Sequence, residues 1–224
     1  MLERRFTPLV LVLVLSMGPL ELIEARWLEV AVRGGTLAAA AYALGRGTRK
    51  RLGVLLMLAP VLGLQLLDLG LSSASVRAAS VGAAALFLGF VLWVVIVEVL
   101  GARRIEPDVL MGGIAIYLLF GYLFAMLFVL VEHFQPGSFS HVSSDELIVE
   151  RLQYFSFVTL SSVGYGDISP VSLLARRIAV MEGVFGQLYL TVFVGRLVGY
   201  SFPETGVDER ETPSMPAGHR SLES

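Results

Sequence analysis

The sequence predicts an all-α membrane protein with six transmembrane helices, and with a short re-entrant helix and a glycine loop between the fifth and the sixth. Hydrophobic residues make up 55% of the 224 residues, and charged residues make up only 16%. The mean hydropathy is +0.75. Membrane proteins have this kind of composition. A helix needs about 20 apolar residues to cross the hydrocarbon of a bilayer, and stretches of roughly that length recur along most of the chain.

Six apolar stretches account for the predicted spans. They cover residues 6–23, 27–44, 52–71, 76–100, 110–131 and 171–200. We interpret the first as a retained span, because it is longer than the core of a usual signal peptide and no small-x-small cleavage site follows it. The chain then divides into a four-helix transmembrane domain, a domain formed by the last two spans, and a polar cytoplasmic tail that we expect to be disordered. Their bounds are residues 1–108, 109–202 and 203–224.

Arginine and lysine residues alternate between the two sides of the predicted membrane domain. The eight on one side are Arg4, Arg5, Arg46, Arg49, Lys50, Arg51, Arg103 and Arg104, and the two on the other side are Arg26 and Arg77. Positively charged loops stay in the cytoplasm. We therefore expect a multi-pass protein of the cell membrane with both termini cytoplasmic, and with the connection between the fifth and sixth spans outside.

A glycine loop lies between the last two spans. Residues 159–167 read TLSSVGYGD and follow a short amphipathic stretch at 147–160. Gly164 and Gly166 have no Cβ atom and can adopt backbone angles closed to other residues. Residues of alternating handedness can therefore turn consecutive carbonyls toward one axis. An ordinary tight turn is the alternative for two glycines around a tyrosine, but the position between two apolar spans disfavours it.

The order of span, short helix, SVGYGD loop and span resembles the pore module of the tetrameric potassium channel family. The resemblance implies a pore helix and a selectivity filter, whose carbonyls replace the hydration shell of K⁺. It also implies a homotetramer with three further copies of the chain, since one chain carries only one loop. The ion-binding residues would be Ser162, Val163, Gly164, Tyr165 and Gly166, with K⁺ as the permeant ion and no other cofactor.

The resemblance further implies a set of residues that support the filter. These are Asp167, Tyr154, Ser161 and Thr159. Asp167 takes the outer-mouth position, where its expected partner is Tyr154. Two positions depart from the family's pattern. Ser162 stands where a threonine methyl would restrict the rotamer, and Phe155 stands where a tryptophan would offer a donor. We therefore expect a less rigid filter.

The sixth span carries the residues expected to line the inner pathway. Gly186 lies twenty residues after Gly166, where the family's inner helix can bend. Close packing is the equally weighted alternative for this glycine. Helical spacing places Gln187, Thr191 or Leu190, Val194 and Val198 toward the cavity. Glu182 is a carboxyl within a span, which is costly without a partner. We expect it to be protonated or bonded to a Ser or Thr hydroxyl near the pore helix.

A capping box marks the start of the pore helix. Ser143 is the expected N-cap, and Glu146 would reach back to it. The helix would run to about Leu160 with its C-terminal end aimed into the membrane, where the partial negative charge of that end favours a cation. A helix lying flat in the interface is the alternative interpretation.

The fourth span lacks the repeated arginines of a voltage sensor. It offers only Arg77 at its outer end and Glu98 at its inner end. We therefore expect weak or no voltage dependence. His133 and His141 lie in the outer loop, and we expect no proton sensing from exposed loop histidines. The gating stimulus is not predicted.

The predicted function is a potassium-selective ion channel and not an enzyme. The chain offers no nucleophile and base pair, no cluster of metal ligands and no cysteine. Nothing in it indicates nucleic acid binding, and it leaves no room for a soluble ligand-binding domain. The lipid bilayer is an expected partner. Two alternatives stay open: a weakly selective cation channel, and a non-conducting membrane regulatory subunit with a pore-like fold.

Overall fold

The structure, a computed structural model, describes residues 6–17, 58–67, 73–102, 106–142 and 148–201. The regular structure of this part of the chain is helical, apart from an isolated β-bridge between Phe139 and Pro170. The helices are α1 (Phe6–Leu15), α2 (Leu58–Leu67), α3 (Ala74–Gly101), α4 (Pro107–Phe134), α5 (Ile148–Leu160) and α6 (Leu173–Ser201).

Three helices of the described residues, α3, α4 and α6, are long and apolar enough to cross a membrane. They correspond to the fourth, fifth and sixth predicted spans. Over the first and third predicted spans, the described residues form only the shorter apolar helices α1 and α2. The second predicted span, residues 27–44, lies outside the described residues. Within the described residues, the structure therefore supports an all-α membrane protein with three spans and does not support the predicted six.

A short connection separates α3 from α4. α3 ends at Gly101, and α4 begins at Pro107 with Glu106 as its N-cap residue. Proline suits the first position of a helix, because its missing N–H would have no partner there. Because the connection is short, α4 turns back and packs along α3 in the same chain.

One core holds α1, α2 and α3 against the N-terminal half of α4. Its centre is fully buried and aliphatic, with Leu9, Leu13, Val91, Val95 and Leu119. Polar contacts fix α1 at both ends. The Phe6 N–H donates to the Asp108 carboxylate at 3.0 Å, and the Tyr122 hydroxyl donates to the Leu13 carbonyl at 2.8 Å. α1 is therefore docked on α4 and does not stand alone.

A second core lies at the other end of α4 and positions α5. Phe128, Phe139 and Phe155 meet edge to face, with ring centroids 5.1 to 5.4 Å apart. Each such pair stabilises by about 0.5–1.5 kcal/mol beyond the area it buries. Phe155 belongs to α5 and Phe128 to α4, so this cluster fixes the short helix against a long one.

The loop after α4 is tied to the segment before α6. The buried carboxylate of Glu132 accepts the N–H groups of Gly137 and Phe139, at 2.7 and 3.2 Å. The side chains of Ser140 and Ser169 hydrogen-bond each other at 2.8 Å. These contacts fix the ends of the stretch that contains α5 and the glycine loop.

Candidate functional site

α5 leads directly into the glycine loop. The helix ends at Leu160, and the backbone then adopts positive φ at every second residue: 58° at Ser162, 59° at Gly164 and 81° at Gly166. Val163 and Tyr165 between them do not have positive φ. Left-handed and right-handed residues therefore alternate along this loop. A positive φ is uncommon for a serine, so Ser162 is held in this conformation by its surroundings.

The peptide groups at the start of the loop have a defined direction. The N–H groups of Val163 and Gly164 both point back to the Val158 carbonyl, at 3.0 and 3.4 Å. The peptide bonds are trans, and in a trans peptide the carbonyl points opposite to the N–H that follows it. The carbonyls of Ser162 and Val163 therefore point away from α5, on one side of the loop.

Space within the chain does not explain the two loop glycines. A Cβ atom built at Gly164 or Gly166 would meet no atom within 4 Å. Their positive φ is a conformation that L side chains rarely adopt. The backbone conformation itself therefore favours glycine at both positions, although Ser162 adopts a similar φ as an L residue.

Tyr154, Tyr165 and Asp167 come together at the outer end of the loop. The rings of Tyr154 and Tyr165 are nearly parallel, with an interplanar angle of 4° and centroids 6.4 Å apart. The Tyr154 hydroxyl bonds the Asp167 side chain, and this bond raises the pKa of Tyr154 above its ordinary value of 10.0. The negative charge of Asp167 opposes loss of the tyrosine proton. The tyrosine therefore remains a donor at neutral pH.

The other two supporting residues contact the last turn of α5. The Ser161 hydroxyl donates to the Phe157 carbonyl at 2.7 Å, and the Thr159 carbonyl accepts the Ser162 N–H at 3.0 Å. Phe155 stands where the family's pattern has a tryptophan that can donate a hydrogen bond. Its ring lies in the aromatic cluster with Phe128 and Phe139. The predicted capping box at 143–146 lies outside the described residues.

α6 approaches the end of α5 closely at Gly186. A Cβ atom there would collide with the backbone oxygen of Leu160, and one at Gly183 would lie 4.0 Å from the Thr159 oxygen. Gly186 was expected either to bend α6 or to allow close packing. The contacts in the structure support close packing. The contact also brings the next residue to the loop: the Gln187 side-chain amide donates to the Ser162 hydroxyl at 2.7 Å.

Glu182 lies one turn before Gly186 and is fully buried. Its Oε1 atom bonds the hydroxyl of Ser156 on α5, and this hydroxyl also reaches the Gly121 carbonyl of α4 at 2.7 Å. The Glu182 Oε2 atom is buried and has no hydrogen-bond partner among the residues that the structure describes. Three helices thus meet at one buried hydroxyl. Ser156 was not among the predicted site residues. The expectation that Glu182 bonds a Ser or Thr hydroxyl near the pore helix was the signal that pointed to it, since Ser156 lies within α5.

The remaining inner-helix residues of the prediction lie on the exposed side of α6. Thr191, Val194 and Val198 are all exposed in the chain. The Thr191 hydroxyl donates to the Gln187 carbonyl of its own helix at 2.8 Å.

The other side of α6 is bonded to α3 and α4, which the sequence did not indicate. The Tyr189 hydroxyl donates to the Gly113 carbonyl at 2.6 Å. The Arg196 guanidinium donates to the carbonyls of Val99 and Ala102, at 3.1 and 3.0 Å. These carbonyls belong to the end of α3, where arginine commonly satisfies the last acceptors of a helix.

Acidic residues and histidines do not assemble into a metal site in the part of the chain that the structure describes. No group of three or more such side chains lies close enough there to hold an ion. His133 and His141 are both exposed.

Comparison with known proteins shows which family the chain resembles. A family model described as an ion channel matches residues 112–201, which include most of α4, α5, the glycine loop and α6. Protein LctB of Bacillus caldotenax is 35% identical over 121 residues, covering 51% of this chain and 89% of that relative. Protein LctB of Geobacillus stearothermophilus is 35% identical over 80 residues, covering 34% of this chain and 59% of the relative.

A more distant relative is a plant protein. Two-pore potassium channel 5 of Arabidopsis thaliana is 32% identical over 103 residues, covering 43% of this chain and 24% of that protein. The chain thus spans about a quarter of its length. No solved structure matches the chain. On the family model and the extent of the match to its relatives, the chain belongs to the ion channel family, as a membrane channel protein and not an enzyme.

Proposed function

We propose that the chain is a potassium-selective channel that conducts K⁺ passively as a homotetramer in the cell membrane. The observation that carries the proposal is the alternating backbone handedness of Ser162, Gly164 and Gly166, with the loop N–H groups turned back to α5. Carbonyls on the opposite side, repeated in four copies, make the ring that replaces the water shell of K⁺. The name of the plant relative, a two-pore potassium channel, supports the choice of ion.

The direction of α5 supports cation conduction. The helix ends immediately before the loop, so the partial negative charge of its C-terminus lies at the start of the carbonyl row. Ser162 to Gly166 are the proposed ion-binding residues. Asp167, Tyr154, Ser161 and Thr159 are the proposed supports of the loop, on the contacts described above.

The surface of α6 supports assembly with further copies. Large apolar side chains are exposed along it, including Val180, Met181, Val184, Leu188 and Val192. One chain has one glycine loop, so four chains are needed to close a ring. Because α3 packs along α4 of its own chain, we expect the four copies to assemble without exchanging domains.

The charges of α3 support weak or absent voltage dependence. This helix contains one arginine, Arg77, and one glutamate, Glu98. One elementary charge that crosses the whole field changes the energy by about 2.3 kcal/mol per 100 mV. The steep dependence of a voltage sensor needs several such charges, and α3 does not have them.

Recordings from the purified protein in lipid bilayers test the proposal. We expect a current whose reversal potential follows the K⁺ gradient and changes little when Na⁺ is varied, with little dependence of opening on voltage. Equal permeability to K⁺ and Na⁺ would instead identify a weakly selective cation channel. Absence of current in a protein that assembles normally would indicate a non-conducting regulatory subunit. Either result would refute potassium selectivity as the function.

A further inference from the structure

We propose that Gln187 is a specificity-determining residue: its side-chain amide orients the hydroxyl of Ser162 at the inner end of the glycine loop. A threonine at position 162 would restrict its own rotamer through its methyl group. Ser162 has no such methyl group, and the Gln187 amide restricts its rotamer instead. The inference rests on the proposed function, because it concerns the innermost ion site of the same loop.

The first support is geometric. The Gln187 Nε2 atom lies 2.7 Å from the Ser162 Oγ atom. Gly186 makes this distance possible, because its missing Cβ lets α6 lie against the Leu160 carbonyl. The position of Gln187 along the helix is fixed on both sides. Glu182 bonds Ser156 before it, and Tyr189 bonds a carbonyl of α4 after it. The amide is therefore presented from a rigid helix.

The second support is the chemistry of the two groups. A side-chain amide nitrogen can only donate, and a serine hydroxyl has one proton and two acceptor lone pairs. The bond from Gln187 therefore occupies one lone pair of Ser162 and leaves the other available to a cation. Serine without a partner would change freely among staggered rotamers. A threonine would be restricted by its branched Cβ. At Ser162 the restriction comes from α6 instead.

The third support concerns selectivity. Discrimination between K⁺ and Na⁺ depends on the size of the site and on the number and field strength of its oxygen dipoles. A hydroxyl that moves freely can follow a smaller ion inward, so it discriminates less well. The Gln187 amide prevents this movement of the Ser162 hydroxyl. It also lowers the field strength that the Ser162 oxygen presents to an ion. Loss of the amide should therefore improve the relative fit of Na⁺.

Reversal potentials of Gln187→Leu in mixed K⁺ and Na⁺ solutions test this inference. We expect the K⁺ over Na⁺ permeability ratio to fall about two- to tenfold, the range that one hydrogen bond supports. Gln187→Asn, whose amide is one methylene too short to reach Ser162, should show the same fall and replaces Gln187→Leu if that variant does not assemble. Gln135→Leu, the same change at an exposed residue of the outer loop, is the matched control and should leave the ratio unchanged.

A rescue variant separates an ion-site role from a general effect on the helix. Ser162→Thr should restore the permeability ratio in the Gln187→Leu background, because the added methyl supplies the lost restriction. An unchanged ratio in Gln187→Leu would overturn the inference while leaving a K⁺-selective wild type intact. A failure of Ser162→Thr to restore the ratio would also overturn it, provided that Ser162→Thr alone keeps the wild-type ratio, because a threonine at the positive φ of residue 162 is itself strained. A wild type without preference for K⁺ would instead refute the proposed function, whatever the variants do.

Discussion

The glycine loop and the helix interfaces both depend on glycine, but for opposite reasons. At Gly164 and Gly166 a Cβ would meet nothing within 4 Å, whereas the backbone φ is +59° and +81°. At Gly186 the backbone is helical, whereas a Cβ would collide with the Leu160 oxygen. The loop needs the conformational freedom of glycine, and the interface needs its small size. Substitutions by alanine should therefore fail differently in the two regions.

The largest effect should come from the loop. Gly164→Ala and Gly166→Ala should abolish K⁺ flux, because each forces an L residue into a left-handed conformation that costs about 1–2 kcal/mol in every copy of the chain. Assembly should be retained, since the added methyl finds open space within the chain. Thallium flux into vesicles measures the first result, and gel filtration in detergent measures the second. Undiminished K⁺ flux in either variant would contradict the claim that the loop depends on the backbone freedom of glycine.

A smaller effect should come from the interface. Gly186→Ala should lower the stability of the protein by about 1–3 kcal/mol, the usual cost of overpacking, because the Leu160 oxygen is backbone and cannot move aside. Gly195→Ala is the matched control in the same helix, since a Cβ there meets nothing within 4 Å. It should be neutral or stabilise by about 0.5–1 kcal/mol. Denaturant titration followed by circular dichroism compares the two; equal stability of both variants would contradict the packing role.

Gly113→Ala should have a milder effect than Gly186→Ala. Its Cβ would collide with the ring of Phe193, but a side chain can turn where a backbone oxygen cannot. We expect a loss of about 1 kcal/mol, at the low end for overpacking. Combining it with Phe193→Leu should recover part of the loss, because the two residues are in contact and their effects are coupled. Strict additivity in the double-mutant cycle would show that the collision is not the cause.

The smallest effect should come from Tyr154→Phe, which keeps the ring beside Tyr165 and removes only the hydroxyl bonded to Asp167. We expect shorter open bursts in single-channel records and an unchanged K⁺ over Na⁺ permeability ratio, because the carbonyl row does not depend on this bond. The bond raises the pKa of Tyr154 above 10.0, so the tyrosine stays protonated and wild-type bursts should not vary between pH 7 and 9. A changed permeability ratio would show that side chains, and not backbone handedness, define the loop.

Local sequence signals predicted the three long helices and the loop well. Apolar runs predicted α3, α4 and α6 to within three residues at each end. The spacing of Gly164 and Gly166 indicated alternating handedness, which needs only neighbours in the chain. For Glu182 the sequence indicated the kind of partner, a hydroxyl near the pore helix, but not that Ser156 would be the residue.

Contacts between distant segments could not be predicted in the same way. Whether Gly186 bends or packs depends on how closely α6 approaches α5, and a sequence pattern does not contain that distance. Phe155 looked like a lost donor for the loop, but its ring direction depends on Phe128 and Phe139 in other segments. Within the described residues, apolar periodicity also predicted more spans than the three long helices that the structure supports, since α1 and α2 are described as ten-residue helices. An apolar run can form a short helix docked in a core as well as a helix that crosses a membrane.

The bonds of Arg196 give the inner helix a mechanical connection that its apolar contacts do not provide. Apolar side chains can slide past one another at little cost, but a guanidinium bonded to the Val99 and Ala102 carbonyls resists sliding. The lower end of α6 therefore cannot swing outward unless α3 follows or both bonds break. A pull on α3, whose outer side exposes Leu86 and Trp93, is consequently transmitted as force to α6. α3, which lacks the charges of a voltage sensor, is thus mechanically coupled to α6 through Arg196.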